Sequence, residues 1–231
     1  MKDQYFGDIN DYFKYGVLRC FGESGLSIGV CWMMTPGDGR TDGRKIQYLA
    51  DEKRWRAYDP NLFDSLAAAV KRNRAVRQIQ KAQILPNCLF CDDVVPESQS
   101  LRNGWLSQAL KELSRVDLLF FDPDNGIEVR STPLGKRGSS KFLYWDEIET
   151  AWFKGCSLLI FQHFPRQNRA KYTARLANEL SHHVPDGKVV PLITSNVVYL
   201  LAYQPRHNAK AEQAVETIVK RWVGQVWTSI I

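Results

Sequence analysis

The chain has 231 residues, of which 44% are hydrophobic and 24% are charged, a globular composition that excludes a disordered chain. No apolar run reaches the roughly 18 residues of a membrane-spanning helix. The formal net charge of +6 is compatible with a nucleic-acid partner without establishing one. The first ten residues, MKDQYFGDIN, contain acidic groups and no apolar core, so we predict no signal peptide. We therefore expect one cytoplasmic domain over residues 1–231 and no membrane association.

Five cysteines lie at positions 20, 31, 88, 91 and 156. An odd number without an export signal favours free thiols over disulfides. Cys88 and Cys91 have the CxxC spacing of many zinc sites, but no second pair follows, and tetrahedral zinc needs four ligands. We therefore predict two packed cysteines at this position rather than a metal site.

The first half of the chain predicts alternating helices and strands. Apolar residues recur at helical spacing over 9–22, which indicates an amphipathic helix. A short apolar strand over 27–34 runs into a glycine-rich loop over 35–43. The elements predicted next, in chain order, are a helix over 60–73, a strand over 88–95, a helix over 97–114 and a strand over 116–121.

The second half continues the alternation after a loop over 126–141 that is rich in Gly, Ser and Lys. The predicted elements are a helix over 145–154, a strand over 156–163, a helix over 166–180, strands over 188–194 and 197–203, and a helix over 209–222. This order predicts an α/β fold of Rossmann-like type, with a mostly parallel sheet and helices on both faces. The two late strands predict an antiparallel C-terminal hairpin, which adds one antiparallel strand at the edge of the sheet.

Polar segments follow two of the predicted strands. Gly37-Asp38-Gly39 comes after the first strand, and Asp122-Pro123-Asp124-Asn125 comes after a central, wholly apolar one. Ligands of open α/β sheets bind beyond the carboxyl ends of the strands, so the two segments predict a cofactor loop beside a reaction centre. An ordinary turn is the alternative for the second segment, because Asp, Pro, Asn and Gly dominate turns.

Three segments resemble the adenine-N6 methyltransferases that modify large-subunit ribosomal RNA: GDINDYFKY at 7–15, PGDGR at 36–40 and DPDN at 122–125. That family shows a Gly-x-x-x-Asp-x-x-Lys helix start, a Gly-x-Gly-Arg loop and an Asp-Pro-Pro-Tyr strand end. The loop is also similar to the Gly-Pro-Gly-Arg of the three-Cys-motif partner family. The resemblance implies a class I methyltransferase fold, S-adenosylmethionine as the cofactor and nucleic acid as the substrate.

The resemblance also implies a cofactor site at the first loop. Its two glycines would let the backbone approach S-adenosylmethionine closely. An acidic residue that the family has near the end of the first strand is replaced here around Met33. The residues that the resemblance places at the cofactor are Tyr5, Gly37, Asp38, Gly39 and Arg40.

A catalytic role is implied for the second loop. Asp122 would accept a hydrogen bond from the adenine amino group, while Pro123 would present its backbone carbonyl. Asn125 stands where the family has an aromatic residue, and the missing ring removes base stacking worth about 1–3 kcal/mol per base. Asp124 and Lys14 complete the predicted catalytic set.

A magnesium-dependent nuclease is a second hypothesis for the same residues. Asp122, Asp124 and Glu128, with Lys141 and His163 nearby, could hold Mg²⁺ and activate water for phosphodiester cleavage, because hard cations prefer clustered carboxylate oxygens. A third hypothesis is a methyltransferase-like fold that has lost catalysis and serves as a nucleic-acid-binding module.

Basic residues in two segments could contact phosphate oxygens, although a solvated basic surface is the common alternative. Lys136, Arg137 and Lys141 belong to the loop over 126–141, and Arg166 and Arg169 belong to the helix over 166–180. The histidines in polar connections are predicted to lie at the surface: His182, His183 and His207.

Overall fold

The structure is a computed structural model that describes residues 1–37 and 45–229. Its helices are α1 Ile9–Glu23, α2 Glu52–Trp55, α3 Pro60–Arg72, α4 Gln78–Lys81, α5 Gln99–Glu112, α6 Trp145–Phe153, α7 Arg169–His183 and α8 Asn208–Arg221. Short 3₁₀ turns cover Asp3–Tyr5, Gln47–Ala50, Ser139–Lys141 and Pro205–His207. None of the helices in the described ranges is long and apolar enough to cross a membrane.

The strands are β1 Ile28–Cys31, β2 Cys88–Cys91, β3 Leu118–Phe121, β4 Gly126–Ile127, β5 Phe142–Leu143, β6 Ser157–His163, β7 Lys188–Ile193, β8 Val197–Tyr203 and β9 Trp227–Thr228. Seven of them form one sheet in the order β2-β1-β3-β6-β8-β7-β9, while β4 and β5 pair separately. The first four strands of this order are parallel. β8 is antiparallel to both of its neighbours, so β7 runs in the same direction as β6. The predicted α/β fold with a mostly parallel sheet is confirmed.

Helices cover both faces of the sheet because the side chains of its strands alternate between two apolar clusters. In β3, Leu118 and Phe120 pack into the first cluster, and Leu119 and Phe121 pack into the second. The first cluster contains buried residues of α1, α3 and α8, and the second contains those of α5, α6 and α7. β3 is buried on both faces and lies between β1 and β6, so it is an interior strand of the sheet.

The direction of the strand order reverses between β1 and β3. From β1 the chain moves to β2 on one side, and then crosses over to β3 on the other side of β1. Connections that leave β1 and β3 therefore diverge to opposite faces, and open α/β sheets bind their ligands near such a reversal. Here the amino group of Met1 lies between the two strand ends, 3.0 Å from the Met33 carbonyl and 3.2 Å from the Asp122 carbonyl.

The antiparallel strand of the predicted hairpin, β8, does not lie at the edge of the sheet, so that part of the prediction was wrong; the antiparallel strand at the edge, β9, is not part of the hairpin. β8 lies between β6 and β7, and β9, which the sequence pattern did not predict, forms the edge. All seven residues of β8 are buried, as expected of a strand covered on both faces. Its uninterrupted apolar sequence, VVYLLAY, is typical of an interior strand, whereas β7 begins with exposed Lys188.

Gly16 in α1 leaves room for the side chain of Trp222, the residue that follows the end of α8. A Cβ atom at Gly16 would overlap the indole ring of Trp222. Alanine favours helices by about 1 kcal/mol over glycine, but overpacking a full core typically costs about 1–3 kcal/mol. We therefore expect Gly16→Ala to lower the free energy of unfolding in urea titrations.

Gly104 of α5 is the matched control for this prediction, because a Cβ atom there would meet nothing within 4 Å. Gly104→Ala should leave stability unchanged or raise it by up to about 1 kcal/mol through helix propensity. Equal effects of the two substitutions would contradict the packing role of Gly16.

Candidate functional site

A cleft of about 1230 Å³ lies beyond the carboxyl ends of β3 and β6. Most of the predicted site residues line it: Tyr5, Lys14, Asp122, Pro123, Asp124, Asn125, Glu128 and Lys141. Gly37 is described but does not line this cleft, and a Cβ atom on it would meet nothing within 4 Å. Asp38, Gly39 and Arg40 lie outside the described residues, so most of the predicted cofactor loop stays a prediction.

Lys14 is the cation at the centre of the cleft floor. Its Nζ atom lies 2.8 Å from Asp11 Oδ1 and 2.8 Å from Asp122 Oδ2. All three side chains are buried. Burial by itself would lower the pKa of Lys14, but Asp11 and Asp122 raise that pKa above its usual value. Lys14 therefore stays charged and links α1 to the end of β3.

The start of α1 positions these groups. Asp8 caps the helix, since its Oδ1 accepts the backbone N–H groups of Asn10 and Asp11. The other carboxylate oxygen of Asp11 accepts hydrogen bonds from the Tyr15 hydroxyl and the Gly7 N–H, both at 2.9 Å. The Gly-x-x-x-Asp-x-x-Lys spacing thus places the carboxylate of Asp11 and the ammonium of Lys14 about one helical turn apart, on the side of α1 that faces β3.

Two carboxyl groups of the cleft have raised pKa values. Burial and the neighbouring Asp11 carboxylate raise the pKa of Asp8 to about 7. Burial also raises the pKa of Asp122, although Lys14 opposes this change. Groups with perturbed pKa values in a cleft are typical of functional sites, and Asp8 can exchange a proton near neutral pH.

The raised pKa of Asp8 gives a second prediction. An Asp in the unfolded chain ionises near pH 4, whereas Asp8 in the folded protein ionises only near pH 7, so folding becomes less favourable as the pH rises through this window. Asparagine keeps the helix cap without ionising. Relative to wild type, we expect Asp8→Asn to gain at least about 1 kcal/mol of stability between pH 4 and pH 8. Urea unfolding at both pH values measures it, and a difference that does not change with pH would contradict the raised pKa.

The negative charge of Asp124 is compensated by the amino group of Met1. The amino group of Met1 lies 2.9 Å from Asp124 Oδ1, and the Thr35 hydroxyl donates to Oδ2. Burial would raise the pKa of Asp124, but the Met1 amine and Thr35 hold it below its usual value. The same amine donates to the backbone carbonyls of Met33 and Asp122. Met33, which stands at the position of an expected acid, thus contributes its carbonyl, in a strained backbone conformation with φ of 46°.

The carboxylates proposed for Mg²⁺ are already engaged in other contacts. Oxygen atoms of Asp122 and Asp124 hold ammonium groups, and Glu128 Oε1 accepts the backbone N–H of Trp145. Over residues 1–37 and 45–229, the metal-compatible groups of three or more side chains do not include any of these carboxylates. A magnesium site here would require these ion pairs to rearrange.

The opposite wall of the cleft consists of aromatic and basic side chains that the sequence analysis did not single out. Arg175 stacks over the ring of Tyr172, with its guanidinium carbon 5.5 Å from the ring centre. Trp145 stacks on His183 at 4.3 Å between ring centres. His163, at the end of β6, also borders the cleft; it is exposed, but protein atoms around its ring and the nearby charge of Lys14 lower its pKa. The additional residues of this wall are Arg130, Trp145, Phe164, Tyr172 and Arg175. Their signal in the sequence was weak because they come from four separate segments.

The basic residues predicted to contact nucleic acid do not all lie at the cleft. Lys141 borders the cleft, whereas Lys136, Arg137, Arg166 and Arg169 are exposed outside its lining. Arg169 donates to the Ser195 carbonyl and stacks over Phe164, a residue of the cleft wall. Their role in binding nucleic acid stays a prediction.

His207 is buried, so its predicted surface position was wrong. Its Nδ1 atom lies 2.8 Å from Ser157 Oγ, and its Nε2 atom lies 3.3 Å from Asp117 Oδ1. Ser157 Oγ also accepts the Gln204 N–H, and only 1% of Ser157 is exposed. The three residues have the composition of a catalytic triad, but they lie at the amino ends of β3 and β6, at the opposite edge of the sheet from the cleft, where they connect the starts of the two strands. Of the other two, His182 is exposed and His183 is half-buried.

Comparison with known proteins gives no family assignment. The chain matches no model of a known protein family, and a search of curated proteins finds no significant relative. Inference about function therefore depends on the geometry of the cleft and on the resemblance of the three motifs.

Proposed function

We propose that the chain is a Rossmann-like, S-adenosylmethionine-dependent methyltransferase that acts on nucleic acid, with the adenine N6 amine as the acceptor. The position of Asp122-Pro123-Asp124-Asn125 carries this proposal. The segment follows β3 at the reversal of strand order and forms the floor of the large cleft. Open α/β sheets bind their ligands beyond the carboxyl ends of the strands near such a reversal, and the resembling family has its catalytic loop at the same strand end. In this chain the cleft lies on the β6 side of the loop, because Met1 occupies the space between the ends of β1 and β3.

The residues present suit this cofactor. S-adenosylmethionine supplies an electrophilic methyl group when it is bound. Its methionine end carries both an ammonium and a carboxylate, and the cleft offers both kinds of counter-charge, with Glu179 and Lys45 among its lining residues. The volume exceeds the roughly 300–1000 Å³ of common ligand pockets, which leaves space for a target base beside the cofactor.

The chain's own groups would hold and orient the acceptor amine. Lys14 engages Asp122 Oδ2, and no side chain of the described residues donates to Oδ1, which is thus available to accept an N–H of the target amine. The Pro123 carbonyl is the second acceptor. Asp8, with its pKa near 7, can take up the proton that the amine loses. The target base would stack on the aromatic side chains of the opposite cleft wall, which are Trp145, Phe164 and Tyr172, because Asn125 has no ring.

Binding and transfer assays test the proposal. Isothermal titration of the intact protein with S-adenosylmethionine should give saturable heat; its absence up to millimolar ligand would refute the cofactor assignment. Labelled methyl groups should then be transferred to an oligonucleotide that contains adenine, but not to a matched oligonucleotide with hypoxanthine, which lacks the N6 amine, in its place. Equal labelling of both would refute adenine N6 as the acceptor.

The nuclease hypothesis predicts cleavage of RNA or plasmid DNA in Mg²⁺ that is lost in Asp122→Ala and Asp124→Ala. We consider it the weaker hypothesis because both carboxylates already pair with ammonium groups. A binding module without catalysis predicts neither reaction, and its affinity for nucleic acid would fall as the salt concentration rises.

A further inference from the structure

We propose that the wall of the cleft beyond β6 binds a single, unpaired strand of nucleic acid, whose successive bases stack on the rings of this wall. The inference rests on the proposed function for the chemical class of the partner, and it adds the form of that partner. Four neighbouring side chains carry it, and we call them the stacking row: Arg175, Tyr172, Phe164 and Arg169.

The stacking row is continuous and leads out of the cleft. The guanidinium carbon of Arg175 lies 5.5 Å from the centre of the Tyr172 ring, and that of Arg169 lies 5.2 Å from the centre of the Phe164 ring. The two rings contact each other edge to face, with 6.4 Å between their centres. Three members of the row line the cleft, whereas Arg169 is exposed outside its lining. A partner that follows the row is therefore extended and reaches beyond the cleft.

The rings of the row are held in place and are accessible to a partner. Phe164 and Tyr172 are half-buried, since each packs against the second apolar cluster and also borders the cleft. Their planes differ by 70°, so one planar base cannot stack on both rings. Stacking on both rings requires two bases with free faces, which an unpaired strand offers and a duplex, whose bases are stacked on each other, does not.

Positive charges around the cleft are available for phosphate groups. Arg130, Lys141, Arg169 and Arg175 form no ion pair with an acidic side chain of residues 1–37 and 45–229. On the cleft floor, by contrast, the ammonium of Lys14 is held by two carboxylates. Free cations beside aromatic rings are the combination by which proteins bind single strands, because the cations contact phosphates while the rings stack on bases.

The cleft floor also has a buried hydrogen-bond acceptor without a donor. Asn10 precedes Lys14 by about one helical turn, lines the cleft and is 8% exposed. Its Oδ1 atom accepts no hydrogen bond from the described residues. A buried acceptor without a donor is unfavourable, so an N–H group of a ligand would be bound there. Unpaired bases present the amino groups of their Watson–Crick edges, whereas a duplex uses those groups for pairing.

Fluorescence anisotropy with a short labelled oligonucleotide of mixed sequence tests the proposal. The intact protein, without S-adenosylmethionine, should bind the single strand about 10-fold or more tightly than the same strand annealed to its complement, since one stacked base accounts for at least that difference. Unlabelled strand should displace the label at a lower phosphate concentration than inorganic polyphosphate, which has the charge but no bases. No saturable binding, equal or tighter binding of the duplex, or equal displacement by polyphosphate would overturn the proposal.

Matched variants assign the binding to the stacking row. Tyr172→Leu keeps apolar packing but removes the ring, so it should weaken single-strand binding about 10-fold, whereas Tyr172→Phe should retain wild-type affinity. Arg169→Gln, at an exposed position, should reduce the slope of log affinity against log salt concentration by about 0.7, the value for one phosphate contact in a single strand. Unchanged affinity in Tyr172→Leu, an equal loss in Tyr172→Phe, or an unchanged salt dependence in Arg169→Gln would refute the stacking row.

Strand binding and methyl transfer can fail separately, because the anisotropy measurements need neither the cofactor nor the reaction. Preference for the single strand in a protein that gives no heat with S-adenosylmethionine would support this inference and refute the methyltransferase. Saturable heat with S-adenosylmethionine in a protein that prefers the duplex would support the cofactor assignment and refute this inference.

Discussion

Lys14→Met is expected to lower the free energy of unfolding by about 3–5 kcal/mol at pH 8, the usual result of removing one partner from a buried ion pair. Lys14 is 2% exposed and is bonded to both Asp11 and Asp122. Methionine matches the volume of the lysine chain but leaves two carboxylates buried without their cation. Urea unfolding of wild type and variant measures the loss.

Arg56→Met is the control, because Arg56 pairs with Asp64 at 2.7 Å but both side chains are largely exposed. Exposed pairs contribute about 0–1 kcal/mol, so this variant should lose little stability. A loss as small for Lys14→Met would contradict the role of Lys14 as the buried counter-ion.

The loss of stability in Lys14→Met should increase as the pH rises. Burial already raises the pKa of Asp122, and Lys14 opposes that rise, so its removal raises the pKa of Asp122 further. A carboxyl group whose folded pKa exceeds the unfolded value near 4 destabilises the protein increasingly as the pH rises above that value. The deficit of Lys14→Met should therefore be larger at pH 8 than at pH 5, and adding Asp122→Asn should recover part of it.

Sequence patterns predicted most helices and strands, because caps and apolar periodicity depend on residues that are close in the sequence. The helix predicted over 9–22 is α1 Ile9–Glu23, and that predicted over 60–73 is α3 Pro60–Arg72, since an Asp side chain caps the start of each helix. α3 has one apolar face, whereas α1 is buried on nearly all sides. The lengths of the first two strands were overestimated: the strand predicted over 27–34 ends at Cys31 and that over 88–95 ends at Cys91, whereas β8 matches its predicted range of 197–203. Beyond Cys31 the buried residues continue, but Met33 takes a positive φ that ends the strand. Burial and strand conformation are separable, and an apolar pattern reports only burial.

Long-range pairings account for what the sequence could not predict. The Asp122 loop was predicted from its position after an apolar strand. Its ion pair with Lys14, however, spans 108 positions, and Asp124 pairs with the amino group of Met1, the first residue of the sequence. Likewise, Arg102 and Glu147 form a buried pair at 2.6 Å that fixes α5 to the start of α6, with no local signal in either segment. Charged groups that are buried in pairs look like ordinary surface residues in a sequence.

Asp122 provides the test that separates positioning of the acceptor from binding of the cofactor. Its carboxylate is buried at the strand end, and one oxygen is already committed to Lys14. Asparagine has the same shape but presents its side chain without charge, and Lys14 keeps its second partner, Asp11. The substitution should therefore disturb folding less than Lys14→Met does.

On the proposed function, Asp122→Asn should lower kcat for methyl transfer by about 10²–10³, the typical effect of removing one preorganised polar group from a reaction centre. Affinity for S-adenosylmethionine, measured by titration calorimetry, should change less than about twofold, because Asp122 is proposed to contact the acceptor amine and not the cofactor. An unchanged kcat would remove Asp122 from the reaction. If kcat and cofactor affinity fell together, Asp122 would belong to the cofactor site, and the acceptor would have to be held by the Pro123 carbonyl and the aromatic wall alone.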